Sequence, residues 1–492
     1  VLAAVCLAAL ILPLSFSAGA MATPAIGRDL GGSATLLTWI TNGFMLSFGG
    51  LLMVAGAMAD RIGRKRMFIT GVGLFALASL ALAGAPSTLV IDLLRAVQGV
   101  GAAAALSGGS AALAQEFEGP ARTRAFSMLG TTFGVGLAFG PIMAGMLIQS
   151  LGWRAIFLAT ALIAAAAFLL ARAWMRESQA PGGASLDWGG AVSFTAALSL
   201  FTFAVIQAPV SGWASAIVFL SLAMSIISLA AFCWIEMHVR LPMLDLSLFR
   251  YPRFVGVQLL PVATCYGFVV LLVLLPLRFI GVEGRSETVT GLLMLAISGP
   301  MVIVPSIAAS LTRWLSAGVI SGWGLLVAAG GLLWLGHVAP GGNPVLPMLI
   351  IGIGTGLPWG LMDNLSVSVV PAEQAGMAAG IFGTTRVAGE GLALAMVAAL
   401  LAWLVQQEMA LALPMMPADA RAIAAQRVAT GNLAQVTPAI SHARLVEVYA
   451  HAFAILTRVL AAITGLSALA IFALLAGSGR AAPSAARRPA AS

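Results

Sequence analysis

Apolar residues in this chain come in blocks of about twenty, the length at which a helix crosses a roughly 30 Å hydrocarbon core. Charges, proline and glycine gather in the short gaps between the blocks. Backbone groups in lipid must be satisfied within the segment, so each block predicts a helix. Fourteen spans follow, at about 1–25, 36–58, 67–85, 88–114, 124–149, 154–174, 188–207, 213–236, 254–280, 288–311, 316–338, 345–370, 376–405 and 447–475, each near that crossing length. The interruption at 406–446 is too polar to cross, and its alanine-rich stretch Ala418–Arg427 predicts a short surface helix without chemistry of its own. Ala18-Gly19-Ala20 has the small residues of a signal-peptidase site, but no charged leader precedes the first block. That block therefore reads as a span trimmed at its start.

The gaps suggest a six, two, six organisation. Residues 1–175 form an N-terminal six-helix bundle, and 176–253, with Pro181-Gly182-Gly183, form a linker and two inserted spans. Residues 254–492 form a C-terminal six-helix bundle that includes the excursion 406–446. Two bundles rocking about a midplane site is a common transporter plan. Fourteen spans put both termini on one side. If that side is the cytoplasm, its loops hold fifteen of the Arg and Lys residues, among them Arg61, Arg64, Lys65 and Arg66, against seven opposite. The bias predicts both termini inside a bacterial inner membrane.

Composition sharpens this picture. Of 492 residues 60% are hydrophobic and 9% charged, with mean hydropathy +1.03; a soluble chain carries about a quarter charged residues. The net charge of +8 does not imply nucleic acid, because the basic residues sit in short loops rather than on one soluble face. Lys65 is the single lysine, in keeping with a GC-rich bacterial genome. Cys6, Cys233 and Cys265 lie in apolar stretches, and His238, His337, His442 and His451 have no ligand-like neighbours. No metal site and no cofactor are expected. No Ser-His-Asp, Cys-His or H-E-x-x-H arrangement supports a membrane enzyme, and no G-x-x-x-x-G-K-[ST] loop supports a nucleotide-driven pump.

The most specific signal lies between spans 2 and 3: Gly56-Ala57-Met58-Ala59-Asp60-Arg61-Ile62-Gly63-Arg64-Lys65-Arg66. Orientation alone explains the basic residues, but not an aspartate followed by Arg at +1, Gly at +3 and Arg at +4. Arg95-Ala96-Val97-Gln98-Gly99-Val100-Gly101 follows in span 4, and Gly136-x-x-x-Gly140-Pro141-x-x-Ala144-Gly145 in span 5. Together these resemble three signatures of the major facilitator superfamily: the G-x-L-A-D-R-x-G-R-K/R loop, R-x-x-Q-G-x-G, and the antiporter motif G-x-x-x-G-P-x-x-G-G. Leu186-Asp187-Trp188-Gly189-Gly190 and Pro242–Phe249 resemble the loops flanking the extra spans of fourteen-span drug:proton antiporters. The resemblance implies an all-α major facilitator fold of two six-helix bundles plus two inserted spans. It further implies that Asp60 sits at a helix N-terminus of the other bundle, near Gly376. Arg61 and Arg64 would hold Glu116 or Glu118 in a cytoplasmic latch, and Gly136, Gly140 and Pro141 would let span 5 bend and pack closely.

Charges inside spans are functional candidates because lone charges in lipid are costly. Asp92 and Arg95 are three apart on span 4, and Arg386 and Glu390 four apart on span 13, so each pair is placed for mutual neutralisation. Asp363 in span 12 has no partner nearby in sequence and is the candidate for cycling protons unless Arg386 reaches it. Fourteen-span antiporters usually carry L-D-x-T-x-x-N-x-A-L-P in span 1; here Ser15 replaces the aspartate and Ala20 the asparagine. Coupling would then rest on Asp363 and Glu390, with Arg386 setting which holds the proton. Trp39, Phe44, Phe133, Trp359, Met362 and Phe382 are candidates to line a permissive apolar pocket. The expected function is proton-coupled efflux of amphipathic organic compounds or drugs, or dedicated export of one native metabolite such as a siderophore or antibiotic. Protons, a small-molecule substrate and the bilayer are the expected partners, with no nucleic acid and a monomer as the unit.

Overall fold

The computed structural model describes residues 1–178, 187–239, 244, 246–370, 375–433 and 441–475, and all regular structure among them is helical. Six helices come first: α1 (Leu2–Leu30), α2 (Ala34–Ile62), α3 (Arg64–Ala83), α4 (Thr88–Glu116), α5 (Gly119–Leu151) and α6 (Arg154–Trp174). A hairpin follows, α7 (Trp188–Ser211) and α8 (Ala216–His238), then a short 3-10 turn at Leu246–Arg250. The ninth span runs from α9 (Pro252–Thr264) through a π turn at Cys265–Val269 to α10 (Val270–Pro276) and a second π turn at Leu277–Val282. The rest comprises α11 (Glu287–Ser298), α12 (Pro300–Leu311), α13 (Ala317–Gly336), α14 (Val345–Ser368), α15 (Ala375–Ala412), α16 (Ala418–Ala429) and α17 (His442–Leu475). α11 and α12 are one span interrupted at Gly299-Pro300, where proline cannot donate to the preceding turn. Among the described residues, fourteen segments are long and apolar enough to cross a membrane.

Short hydroxyl and carboxylate side chains start many of these helices. Ser33, Ser87, Ser286 and Ser316 each accept a hydrogen bond from the backbone N–H three residues on, and Asp187 does the same for α7. Such caps satisfy N–H groups that no helical carbonyl can reach. Small residues then bring the helices together. A Cβ on Gly101 would meet the Gly71 carbonyl and Phe75 backbone at 2.8 Å, so α3 and α4 touch backbone to backbone, the usual mode of association without a water-driven hydrophobic force.

In chain order, α1–α6 are called the first half and α9–α17 the second. The hairpin stands at their seam: α7 packs on both α2 and α15, while α8 contacts mainly α7. Phe219, Leu220, Ile226 and Trp234 of α8 point outward, a surface suited to lipid.

With α1 beginning and α17 ending on one side, that side is called terminal and the opposite one far. Polar contacts join the halves at the far end and in the middle of the bundle. Arg28 Nη2 meets Glu287 Oε1 at 2.6 Å, Thr288 N–H donates to Gln149 Oε1 at 3.3 Å, and Ser298 Oγ donates to the Ala138 carbonyl at 3.0 Å.

Two sequence expectations need correction. The thirteenth span runs to Ala412 rather than 405: α15 has 38 residues, about 57 Å at 1.5 Å per residue, and so projects beyond the hydrocarbon. α16 is no idle surface helix, because Ala424, Ala425 and Val428 are buried in the main core. Small side chains let it lie close against the bundle despite its low hydrophobicity.

Candidate functional site

The loop between α2 and α3 turns at Gly63, whose φ of +121° favours glycine. A Cβ there would also collide with the Glu177 carboxylate. That carboxylate accepts from the Lys65 and Arg66 N–H groups at 3.1 and 3.2 Å, capping the start of α3. Sequence reasoning missed this Glu177 cap because the residue lies more than a hundred positions away along the chain. Asp60 Oδ1 accepts from Arg64 Nε at 3.2 Å and Nη2 at 3.0 Å. Arg64 also donates to the Gln115 side chain. Arg64's partner at the end of α4 is thus Gln115, and neither Glu116 nor Glu118 pairs with Arg61 or Arg64 among the described residues. Glu116 is one residue further along, about 100° around the helix from Gln115. The side chains at the start of α15, where Gly376 is the expected neighbour of Asp60, lie outside the described residues. An exposed ion pair is worth about 0.2–1 kcal/mol. Asp60→Asn should therefore lower transport by about fivefold or less, with membrane abundance on immunoblots unchanged; a collapse in abundance would make Asp60 a folding residue.

Arg95 is fully buried, yet it does not pair with Asp92 one turn away. Its Nε donates to the Ile40 carbonyl at 2.8 Å, and Nη1 donates to Ser15 Oγ at 2.9 Å and Gln98 Oε1 at 2.5 Å. Gln98 Nε2 donates to Ser79 Oγ at 2.7 Å, and the guanidinium lies 4.4 Å above the Phe44 ring. Ser15, at the position of the missing acid, is thus a hydrogen-bonding member of this α1–α3–α4 network. Asp92 keeps both oxygens buried without a hydrogen-bond partner, so the expected neutral pair on span 4 is not formed: Arg95 turns toward α1 and α2, where several acceptors wait.

Span 5 shows close packing at its motif. A Cβ on Gly136 would meet Pro13 at 2.6 Å and the Leu10 carbonyl at 2.8 Å, and one on Gly140 would strike Ser17. Both glycines seat α5 on α1. The Pro141 carbonyl lies where a Cβ on Gly291 would need to be, at 2.7 Å, so the same stretch also receives α11 from the other half.

The membrane acids of the second half are rearranged relative to expectation. Arg386 Nη1 reaches Asp363 Oδ1 at 3.4 Å, joining α15 to α14. It makes no ion pair with Glu390 one turn away, and Glu390 has no side-chain hydrogen bond or ion pair among the described residues. Asp363 is 69% exposed and Arg386 18%, and the guanidinium lies 6.0 Å from both the Phe382 and Phe133 rings. Phe133 belongs to α5, so this group lies at the seam between the halves.

The six apolar candidates do not form one pocket. Phe133 and Phe382 meet at Arg386, and Trp359 stands edge-on to Phe268 at 6.1 Å. Met362 is wholly buried, in one cluster with Leu361, Leu365 and Phe382. Trp39 packs on α7 and α15 through Val205, Ile206, Ala395 and Ala399, and Phe44 lies beneath Arg95.

One group was invisible in the sequence. Glu283, 4% exposed, is held between Arg278 Nε and Arg285 Nε, each at 2.8 Å. Arg278 Nη2 also donates to the Val338 carbonyl and Arg285 Nη2 to the Gly342 carbonyl. Sequence spacing does not single out this group: the π turn at Leu277–Val282 carries Arg278 and ends next to Glu283.

A model of the Major Facilitator Superfamily matches residues 5–394. The chain belongs to this superfamily. Among curated relatives of this facilitator, the "Multidrug resistance protein Stp" of Mycobacterium tuberculosis (strain CDC 1551 / Oshkosh) is 30% identical over 78% of this chain and 72% of that protein. The "Cephamycin export protein CmcT" of Amycolatopsis lactamdurans is 32% identical over 76% of this chain and 79% of its own. A solved bacterial homologue of the human lysosomal transporter Spinster, inward-facing and unoccupied, superposes with TM-score 0.66 at 15% identity, covering 98% of each chain. At that identity the likeness shows the fold alone.

Proposed function

We propose that this facilitator exports amphipathic organic compounds across the bacterial inner membrane in exchange for protons, acting as a monomer with both termini cytoplasmic. The observation that carries the reading is the acid–arginine group Asp363–Arg386–Glu390 at the seam of two halves tied together on the far side. With termini inside, the far side is periplasmic, and the Arg28–Glu287 and Gln149–Thr288 contacts are its closed gate. The exposed Asp363 then faces the cytoplasm, where substrate and protons exchange. Arg386 bound to Asp363 leaves Glu390 as the group free to take up a proton. The residue boundaries 1–175, 176–253 and 254–492 divide the moving bundles from the hairpin, which bridges α2 and α15. Export as the direction follows from the span 5 motif and from relatives named for drug resistance and export. Similarity to a cephamycin export protein also favours a second reading, a dedicated exporter of one native antibiotic.

A panel of drugs in energised cells tests both. Efflux of several unrelated amphipathic compounds, abolished by a protonophore, is the expected outcome. Efflux of a single compound would favour the dedicated exporter, and efflux that ignores the protonophore would remove proton coupling.

A further inference from the structure

α13 sets the depth of the bilayer. Its 20 residues rise about 30 Å at 1.5 Å each, one hydrocarbon thickness. Exposed tryptophans, Trp314 and Trp334, stand near its two ends, where aromatic side chains mark the membrane interfaces. α17 runs antiparallel beside it. A Cβ on Gly318 would meet Leu475 at 2.5 Å, one on Gly322 the Phe472 ring at 2.6 Å, and one on Gly336 the Thr457 hydroxyl. Thr457 is therefore level with the far hydrocarbon boundary, and α17 before it rises beyond the lipid tails.

Arg458 comes next. It is exposed, and it has no hydrogen bond or ion pair among the described residues. It shares a stripe of α17 with Ala462, Leu466 and Leu469, all exposed, so it faces lipid just inside the boundary. A lone charge there is costly, but an arginine is long enough to carry its head out to the interface. The acids of this region are taken. Glu447 pairs with Arg444 at 2.7 Å, Glu408 lies 3.7 Å from His451, and Glu283 is held between Arg278 and Arg285. The loop 337–344 has no acid and begins with the exposed His337. The counter-charge therefore comes from outside the chain. A planar guanidinium suits phosphate, which it meets with two parallel hydrogen bonds. A headgroup that also carried an ammonium would find no free carboxylate for it. Deeper along the same seam, a Cβ on Gly330 of α13 or Gly465 of α17 would meet nothing within 4 Å. The surface beneath Arg458 is thus low enough to seat an acyl chain.

We propose that the far end of the α13–α17 seam binds an anionic phospholipid, with its phosphate on Arg458 and a chain along Gly465 and Gly330. The lipid fixes the depth of α17 where it leaves the membrane. The site stands whichever way substrate moves, because it rests on depth and charge alone.

The test uses the full chain in nanodiscs of phosphatidylethanolamine and phosphatidylglycerol, with one or the other lipid carrying a photoreactive group in its chain. Labelling is mapped by mass spectrometry at the seam and, as a bulk-lipid reference in the same leaflet, at Phe219 and Leu220 of α8. Relative to that reference, phosphatidylglycerol should label the seam about fivefold more than phosphatidylethanolamine, the worth of one arginine at a charged lipid surface. Arg458→Ala should abolish the excess. Gly465→Leu, which keeps the charge but raises the floor of the seam, should reduce it. Labelling at α8 should be the same in every variant, which also reports a folded bundle. Equal seam labelling by the two lipids, or an excess that survives either substitution, would overturn the proposal. So would a dimer in nanodiscs that Arg458→Ala splits, since the seam would then join two copies of this chain.

Discussion

Glu390→Gln is expected to stop gradient-driven export, bringing drug accumulation to the level of cells lacking the protein. The amide keeps the shape and much of the hydrogen bonding of the side chain but cannot cycle a proton. Glu390 is the group left to take the proton because Arg386, one turn back on α15, is committed to Asp363 on α14. Asp363→Asn should lower export too, by another route: Arg386, released from Asp363, can then turn to Glu390 at i+4 and hold it charged. Removing both acids should therefore be no worse than Glu390→Gln alone. Counterflow of substrate between equal pH values should persist in Glu390→Gln, since it needs no net proton movement. Transport in inverted vesicles with and without an imposed pH gradient reads these differences. A Glu390→Gln protein that still exports uphill would make this acid structural.

The second large effect concerns folding. Glu283→Ala should destabilise the protein by about 3–5 kcal/mol, because breaking a buried pair leaves uncompensated charge behind. Here two guanidinium groups, Arg278 and Arg285, would be left facing one another at the far end of the ninth span. Thermal unfolding in detergent should show a marked fall in melting temperature, and membrane yield should drop. Replacing Arg278, Glu283 and Arg285 together with apolar residues of similar volume should restore most of the stability, since such swaps in buried ion triads are often neutral. If Glu283→Ala melts like wild type, the triad is solvated and contributes little.

The fold was largely legible in the hydrophobic blocks, for lipid imposes a length and a backbone-pairing rule that twenty apolar residues satisfy in one way. Gly136, Gly140 and Gly101 could be read as contact points, because only glycine lets helices approach backbone to backbone. Pairings were read less well. On α4 and α15 the i+3 and i+4 spacings suggested Asp92–Arg95 and Arg386–Glu390, yet both arginines are long enough to reach other helices. Arg95 found Ser15 and the Ile40 carbonyl, and Arg386 found Asp363. Spacing along a helix reports which side chains are neighbours, while partners on other helices depend on packing that a single sequence does not display. The Glu177 cap on α3 and the bond from Gln426 of α16 to the Pro209 carbonyl of α7 were hidden for the same reason. The Arg278–Glu283–Arg285 group was hidden by a π turn, whose register differs from the α-helical spacing used to read the chain. The apolar candidates failed as a set because chemical type, without orientation, does not separate a side chain beside Arg386, such as Phe133, from one in the core, such as Met362.

Proton exchange at Glu390 is the central claim, and it has a direct measurement. Purified protein in weakly buffered solution, with a pH-sensitive dye, is given the compound that the panel shows to be exported most strongly. Wild type should release protons on substrate addition across several starting pH values, and Glu390→Gln should bind the compound without releasing any. Proton release from Glu390→Gln equal to that of wild type would contradict the account and make the chain a facilitator coupled in some other way.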